Sequence, residues 1–520
     1  MKSFLQRLGS FVSGVLHGLD RIRLRGSKRL LCAPGGFCDY LRQIDVPIWQ
    51  YKFHARDTTT ALCKAIETNG KKAGLYHYVN NSWQSKEELA LAQAAAQNRQ
   101  SGLIAVIGCV EPCQIMQVRR DMKTKNLEPR VEPGKCLHYY HYYLDPKFGL
   151  RYTRLQSWFP FTMHIGLNGR DWLAQQMTSA GLKYEKKDNS FTWAQDWHAA
   201  QCLLDNQLRT AWPALLDRWA QESHPWLEDL CRQHVPYYWS VQEAELATDI
   251  VFKKPEDLQR LYPQLVHYST SLLKSTDVLR FMGYHVTKAG RPRQDFAHEL
   301  VTTIKELAEG TCVKHRVGKN VLKMYDKFGQ ILRLENLLID VRDFKVLRRR
   351  EGHRDGPLEY LRLRKSVADI HRRADLGRSI NERLADALAT VEDKKPLGEL
   401  VQDLAKPAKW KGRSVRALNP LATADAALLQ AINRGEFLVS GFRNRDLRAL
   451  LFPEAKELTA KEAKSQAAKV TRMIRLLRAH GIIYKITKTH RYQVSAGGRQ
   501  KIAALLAARQ ADTPKLLNAA

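Results

Sequence analysis

Two acidic residues near the middle of the chain have a spacing that suits a metal site. In the segment 241–252 (VQEAELATDIVF), Glu245 and Asp249 are four residues apart, which would place both carboxylates on one face of a helix. Hard oxygen ligands of this kind hold the Mg²⁺ ion that stabilises developing charge in phosphoryl transfer. The spacing therefore predicts a Mg²⁺ site at Glu245 and Asp249. The alternative is an ordinary solvated acidic face.

A tyrosine that could act as a nucleophile lies further along the chain. Tyr325, Asp326 and Lys327 are followed by Arg333 and Glu335 in the segment 321–340. This arrangement resembles a segment of the rolling-circle replication initiators of plasmids and filamentous phages, in which a tyrosine attacks a DNA phosphodiester and acidic or histidine residues hold a divalent metal. The resemblance implies that Tyr325 is the nucleophile and Glu335 a metal ligand or base. The alternative is a tyrosine that packs in a sheet.

Cysteines and histidines between residues 109 and 141 could offer metal ligands. Cys109, Cys113, Cys136 and His138 together would supply four groups for zinc, but they do not have a CxxC spacing. We therefore favour buried thiols in a sheet over a zinc site. Two residues separate His138 from His141, which places them on opposite faces of a strand and departs from the histidine pair of HUH endonucleases.

The last hundred residues predict a compact helical module with a hairpin. Helices are expected at 424–434, 443–451 and 462–480, with a short strand at 437–439, a stop at Gly481 and a hairpin formed by 482–488 and 491–494. This order of elements resembles the winged-helix regulators of the MarR type. The resemblance implies that the third helix enters the major groove of nucleic acid.

Polar and basic residues of this module are the predicted contacts to nucleic acid. In the third helix, apolar residues recur three and four apart, which leaves basic and amide side chains on the other surfaces, where they could read bases or bind phosphates. The predicted contacts are Gln466, Lys469, Arg472, Arg475, and, in the hairpin, Lys485, Lys488 and Arg491.

The charge of the whole chain points in the same direction. The 520 residues carry 84 lysines and arginines against 53 acidic residues, a formal net charge of +31, which favours a DNA or RNA partner. Residues 346–414 are expected to form a basic helical arm that tracks phosphates; the alternative is a solvated linker. The arm residues predicted to bind are Arg348, Arg349, Arg350, Arg372 and Arg373.

The predicted fold class is α+β and multidomain. We expect an N-terminal α/β part at 1–125, a central mixed α+β domain at 126–345, the basic arm at 346–414 and the winged helix at 415–510. Nine cysteines without a dense disulfide pattern, and no evident signal peptide, favour the cytoplasm. No apolar run is long enough to span a bilayer, so no membrane partner is expected, and nothing in the sequence favours a particular oligomeric state.

These patterns predict a nucleic-acid-binding protein of mobile-element or plasmid type. One hypothesis is an enzyme, a metal-dependent nuclease or strand transferase that cuts DNA or initiates its replication. The other hypothesis is a regulator or RNA-partnered scaffold that binds DNA or RNA without catalysis. The two differ in whether the carboxylates converge on a metal.

Overall fold

The computed structural model describes residues 1–80, 83–287, 296, 298–307, 310–353, 355–389, 402, 404–410, 412–419, 422–434, 437, 441–453, 459–487 and 489–509. These residues form two compact units. The first unit contains Met1–His17, Leu246–Arg364 and Arg372–Ala520, and the second contains Gly18–Glu245 and Lys365–His371. The division differs from the predicted four consecutive domains, because each unit combines segments that are distant in the sequence.

The described helices and strands are intermixed along the chain. The helices are α1 (Lys2–Leu8), α2 (Arg29–Cys32), α3 (Pro34–Gln43), α4 (Tyr51–Lys72), α5 (Lys86–Ala96), α6 (Gly169–Ser179), α7 (Trp197–Asn206), α8 (Trp212–Ser223), α9 (Leu227–Leu230), α10 (Pro255–His267), α11 (Ser275–Met282), α12 (Ile370–Leu388), α13 (Thr423–Ile432), α14 (Asn444–Leu451), α15 (Ala460–Ala479) and α16 (Ala496–Ala508). The strands are β1 (Val12–Ser27), β2 (Tyr76–Tyr78), β3 (Gly102–Arg120), β4 (Leu127–Asp145), β5 (Gly149–Gln156), β6 (Met163–Asn168), β7 (Tyr184–Lys187), β8 (Ser190–Ala194), β9 (Tyr238–Phe252), β10 (Leu300–Leu307), β11 (Gly310–Val317), β12 (Asn320–Lys327), β13 (Ile331–Leu337), β14 (Lys345–Arg348), β15 (Glu359–Arg362), β16 (Ala408–Trp410), β17 (Arg413–Val415), β18 (Ile483–Lys485) and β19 (Tyr492–Val494).

The second unit is built on a sheet in the order β9-β1-β6-β5-β4-β3-β2, to which β1 and β9 contribute only their residues within that unit. β2 runs parallel to its neighbour, β3, whereas the pairs β3–β4, β4–β5, β5–β6 and β6–β1 are antiparallel. The strands β3 and β4 pair along their whole length, from Gly102↔Leu144 to Arg120↔Leu127. This continuous pairing is why no domain boundary lies at residue 125.

Side-chain caps fix several helix starts in the second unit. The Asn168 side chain accepts a hydrogen bond from the backbone N–H of Arg170 at 2.7 Å, and α6 ends before Gly181, whose φ of 70° suits a glycine. Asp196 caps α7 in the same way.

The first unit has a sheet in the order β10-β11-β12-β13-β9-β1, and helices cover one of its faces. Alternate residues of the strands point into an apolar core against α10, α11 and α12, because side chains change face at every residue of a strand. The core residues from these elements include Val313, Leu322, Met324, Leu334, Leu258, Leu261, Leu279, Leu376, Ile380 and Leu384.

The structure corrects two elements of the predicted layout. The segment of Glu245 and Asp249 is the strand β9 and not a helix, because its burial favours a sheet with neighbours on both sides. The segment 346–414 is not a helical arm: it contains the hairpin β14–β15, and then α12, whose apolar side packs into the core of the first unit. The mixed α+β class itself is confirmed.

Candidate nucleic-acid interface

Helix α15 is the longest described helix of the C-terminal part. It begins at a capping box, in which the Thr459 backbone N–H donates to Glu462 Oε2 at 2.9 Å and the Thr459 hydroxyl accepts from the Glu462 N–H. It ends before Gly481, whose φ is 67°. Val470, Ile474 and Leu477, spaced three and four apart, are buried in the local core. Sequence and structure agree on this helix.

The opposite side of α15 is an exposed row of cations, called here the basic face. Its members are Lys461, Lys464, Lys469, Arg472 and Arg475. At about 100° per residue, these five positions fall within an arc of about 140° and extend over about 21 Å of helix axis. Glu462 is held in the capping box, and no ion pair joins the five cations to a carboxylate among the described residues. Gln466, the predicted amide contact, is half-buried beside this face.

A second helix holds α15 in place. The Asn444 side-chain amide, at the start of α14, donates to the Ala467 carbonyl and to the Thr471 hydroxyl, both at 2.9 Å. Leu447 of α14 is buried in the same core. These contacts fix the rotation of α15 about its axis, so the basic face points away from the core.

The hairpin β18–β19 follows α15, and an additional strand contact extends it. Phe442 and Tyr492 exchange two backbone hydrogen bonds of 2.8 Å, which adds a strand contact at Phe442. Phe437 is buried in the core, and residues 438 and 439 lie outside the described residues. The chain therefore forms helix, strand contact, helix, helix and hairpin in this order.

The predicted cations of the hairpin differ in their environments. Lys485 is exposed, and Lys488 lies outside the described residues. Arg491 is only 5% exposed; its guanidinium lies over the Tyr360 ring at 4.9 Å and donates to the Gly441 carbonyl at 3.3 Å. Arg491 is therefore part of the interior, and its predicted contact to nucleic acid is not supported.

The cations predicted for an arm are mostly engaged within the protein. Arg349 is exposed and donates to the Gly356 carbonyl at 2.9 Å, while Arg350 pairs with Glu359 at 3.1 Å. Arg348 and Arg372 are half-buried and donate to the carbonyls of Arg362 and Leu347. Arg373 is 1% exposed and donates to the Leu338 carbonyl at 2.5 Å, so it lies inside the protein.

Tyr325 and Glu335 come together, as the sequence resemblance implies, but inside the first unit. The Tyr325 hydroxyl donates to Glu335 Oε2 at 2.8 Å, and Lys323 pairs with the other carboxylate oxygen. Tyr325 is 7% exposed and Glu335 is 2% exposed. Burial alone would raise the pKa of Glu335, but Lys323 and the nearby Arg333 outweigh burial and lower it. Glu335 is thus held as a charged carboxylate, which makes it a weak base.

The predicted metal pair, Glu245 and Asp249, does not converge. Four residues along a strand cover about 13 Å, even though both side chains point to the same face. Both oxygens of Asp249 accept hydrogen bonds from Arg333, with Nη2 to Oδ2 at 2.8 Å, and both residues are at most 1% exposed. Asp249 therefore lies in a buried ion pair that leaves little room for a metal.

Glu245 instead lines a cleft of about 700 Å³ in the second unit. A carboxylate oxygen of Asp20 lies within 4.8 Å of one of Glu245. The other charged residues that line this cleft are Arg21, Arg23, Glu87, Asp171, Lys186, Asp188 and Glu243. This grouping could not be predicted from the sequence, because its members come from five separate segments and no local spacing connects them.

Three of the four residues considered as zinc ligands lie together in the second unit. Cys113, Cys136 and His138 each offer an atom within 4.8 Å of the other two, while Cys109 is outside the group. The thiol of Cys136 is the main cause that lowers the pKa of Cys113, to about 5, and His138 lowers it further. The same contact raises the pKa of Cys136. The pair of thiols therefore gives up its first proton easily and keeps the second one.

Comparison with known proteins gives no relative for this chain. No family model, no curated protein and no solved structure matches it. Within the part of the chain that the structure describes, no helix has the length and apolar character needed to cross a membrane. The resemblances to winged-helix regulators and to replication initiators therefore remain predictions from the sequence.

Proposed function

We propose that residues 415–508 form a winged-helix domain that binds duplex DNA through the basic face of α15. The observation that carries this proposal is the row of five exposed cations on α15, opposite its buried side and without a described carboxylate partner. A protein surface with this pattern attracts a polyanion, because each cation that meets a phosphate releases condensed counterions.

The dimensions of α15 favour the major groove of B-form DNA. The groove is about 12 Å wide and admits one α-helix, and the basic face is about 21 Å long, so it can reach phosphates on both sides of the groove. The hairpin after α15 carries the exposed Lys485, which suits a contact to the backbone next to the groove. Double-stranded RNA is a poorer partner, because its deep, narrow major groove excludes a helix.

The order of elements also supports the winged-helix assignment. Phe442 pairs with the hairpin that follows the third helix. In a winged-helix domain, a strand contact of this kind connects the first part of the domain to its wing. We further infer a role for this DNA binding in the replication, movement or regulation of a DNA element, and this inference rests on the sequence resemblances alone.

The test is a salt titration of DNA binding with charge-matched variants of the full chain. We expect Lys469→Gln/Arg472→Gln to reduce the slope of log affinity against log salt by about 2, and to weaken binding roughly 10- to 30-fold at 0.15 M salt. Lys183→Gln/Arg218→Gln removes the same charge from exposed sites of the second unit and serves as the control. Fluorescence anisotropy with labelled duplex DNA measures both quantities.

Equal losses in the two double variants would mean that net charge alone attracts DNA, and the proposal for α15 would be wrong. If Lys469→Gln/Arg472→Gln weakened binding to duplex RNA or single-stranded DNA more than binding to duplex DNA, groove binding by α15 would be excluded. Circular dichroism of the α15 variant must match wild type, which we expect, because both substituted side chains are exposed.

A second candidate function is strand transfer by Tyr325. The observation in its favour is the 2.8 Å hydrogen bond from the Tyr325 hydroxyl to Glu335. In the reaction, the tyrosine oxygen would attack the phosphorus, Glu335 would accept the phenolic proton, and the 3′-oxygen would leave, which gives a 5′-phosphotyrosine. Burial of both groups and the lowered pKa of Glu335 make this candidate the weaker one.

A covalent adduct would decide between binding alone and strand transfer. The full chain would be incubated with labelled single-stranded and duplex DNA, with and without Mg²⁺, and then denatured. We expect no labelled protein in any sample. An adduct in the wild type that is lost in Tyr325→Phe would establish strand transfer and add an enzymatic function to the DNA binding.

A further inference from the structure

Strands β3 and β4 bring three soft ligands to one face of the sheet. Their register pairs Cys109 with His138 and Cys113 with Gly134, so the side chains of Cys113, Cys136 and His138 point to the same side. The two sulfur atoms lie 3.4 Å apart, and one nitrogen of His138 lies within 4.8 Å of both. The strand register, and not a local sequence motif, creates this group.

The histidine is held in the manner of a metal ligand. His138 is completely buried, and its Nδ1 lies 3.1 Å from the backbone carbonyl of Cys136, to which it donates. This hydrogen bond leaves the lone pair on Nε2, which is buried and has no hydrogen-bond partner among the described residues. A ligating histidine characteristically donates its other ring nitrogen to a carbonyl in this way. A buried nitrogen without a partner is otherwise unfavourable.

We propose that Cys113, Cys136 and His138 bind one Zn²⁺ ion. Two thiolates and one imidazole suit zinc and do not suit Mg²⁺ or Ca²⁺, which take oxygen ligands. Bonds of about 2.3 Å in a tetrahedral site place two sulfur atoms about 3.8 Å apart, so the cysteines need to separate by only a few tenths of an ångström. Both cysteines are half-buried, which leaves the fourth position open to a solvent molecule.

The site lies where a two-stranded ribbon leaves the sheet of the second unit. The pairing of β5 with β4 ends at Gln156↔His138, whereas β3 and β4 continue to pair as far as Arg120↔Leu127. The exposed cations near the end of the ribbon are Arg119, Arg120, Lys123, Lys125 and Arg130. A zinc ion at Cys113 and Cys136 would connect the two strands at the base and stiffen the ribbon. The proposal does not depend on DNA binding by α15.

The test is the metal content of the full chain and of matched variants, purified with a thiol reductant. We expect about one zinc per chain in the wild type, by elemental analysis after gel filtration. Cys113→Ser, Cys136→Ser and His138→Asn should each lower zinc affinity by roughly tenfold or more. Cys109→Ala, on the same sheet face, and Cys202→Ser, at an exposed site, are the controls and should retain zinc.

A spectroscopic probe makes the test independent of folding. The chelator-treated wild-type chain should bind Co²⁺ with sulfur-to-metal charge-transfer absorption, and this band should weaken in Cys113→Ser while circular dichroism stays unchanged. Zinc should also slow hydrogen exchange at residues 114–133. Zinc retained in both cysteine variants, or no Co²⁺ thiolate band in the wild type, would overturn the proposal. So would a Cys113–Cys136 disulfide that persists in reductant.

Discussion

Helix α15 and the face of the sheet formed by β9, β12 and β13 are both rich in arginine and lysine, but their cations have different neighbours. On the sheet, Arg333 pairs with Asp249 and Lys323 pairs with Glu335, and the two carboxylates are almost completely buried. On α15, five cations are exposed and lack a described carboxylate partner. The sheet charges are therefore neutralised inside the protein, whereas the helix charges remain available to an external polyanion.

The largest expected effect comes from breaking the buried pair on the sheet. Asp249→Ala should lower the free energy of unfolding by about 3–5 kcal/mol, because it leaves the Arg333 guanidinium buried without its main counter-charge. Arg342 offers a control: its side chain is 74% exposed and pairs with Asp340, so Arg342→Ala should cost less than about 1 kcal/mol. Denaturant titration measures both. Similar losses in the two variants would contradict the distinction between interior and surface pairs.

Two buried histidines extend the comparison to pH. His141 and His224 pack edge to face at 4.6 Å in the second unit, and burial lowers the pKa of His141 to about 3 and that of His224 well below its usual value. Below about pH 6.5 the unfolded chain therefore binds more protons than the folded one. Stability should fall by about 1.4 kcal/mol per pH unit for each histidine as the pH decreases towards 3.

The matched variants for this prediction are His141→Phe and His198→Gln. Between pH 6.5 and 5, we expect His141→Phe to remove the contribution of one histidine from the pH dependence of the unfolding free energy. His198 is exposed, so its variant should behave like wild type. An unchanged pH dependence in His141→Phe would mean that this histidine is protonated in the folded protein.

Two arginines of the C-terminal part separate binding from stability. Arg475 is exposed on the basic face, so Arg475→Gln should reduce the salt slope of DNA binding by about 1 and leave the melting temperature unchanged. Arg491 is buried over Tyr360, so Arg491→Gln should cost about 1–3 kcal/mol of stability and leave the salt slope unchanged. A loss of stability in Arg475→Gln together with a lower salt slope in Arg491→Gln would contradict the roles given to these residues.

Local sequence patterns predicted α15 well, because its helix depends on neighbours in the sequence. The spacing of Val470, Ile474 and Leu477 and the stop at Gly481 are sufficient to place it within two residues. The same rule was wrong for Glu245 and Asp249. A separation of four residues places two side chains on one face of a strand as well as of a helix, and only the neighbouring strands decide between them.

The polar groups of the sheet could not be predicted, because their partners are distant in the sequence. Arg333 is 84 residues from Asp249, and the cysteines and histidine of the second unit meet only through the register of β3 and β4. The same holds for Arg491, which has the expected position in the hairpin but is buried by Tyr360 from the segment β15. Composition indicates how many charges there are, and tertiary packing determines which of them remain exposed.

The smallest expected effect tests whether the basic face depends on the start of α15. Thr459→Ala removes the hydroxyl of the capping box and should cost about 1 kcal/mol, because one backbone N–H of the first turn loses its partner. The core contacts of Val470 and Leu477 lie more than two turns further along, so the helix should stay folded around Lys469 and Arg472. Hydrogen exchange should therefore increase only in the first turn, and affinity for duplex DNA should fall less than twofold, chiefly through Lys461. A loss as large as that of Lys469→Gln/Arg472→Gln would instead place the main DNA contacts at the start of the helix.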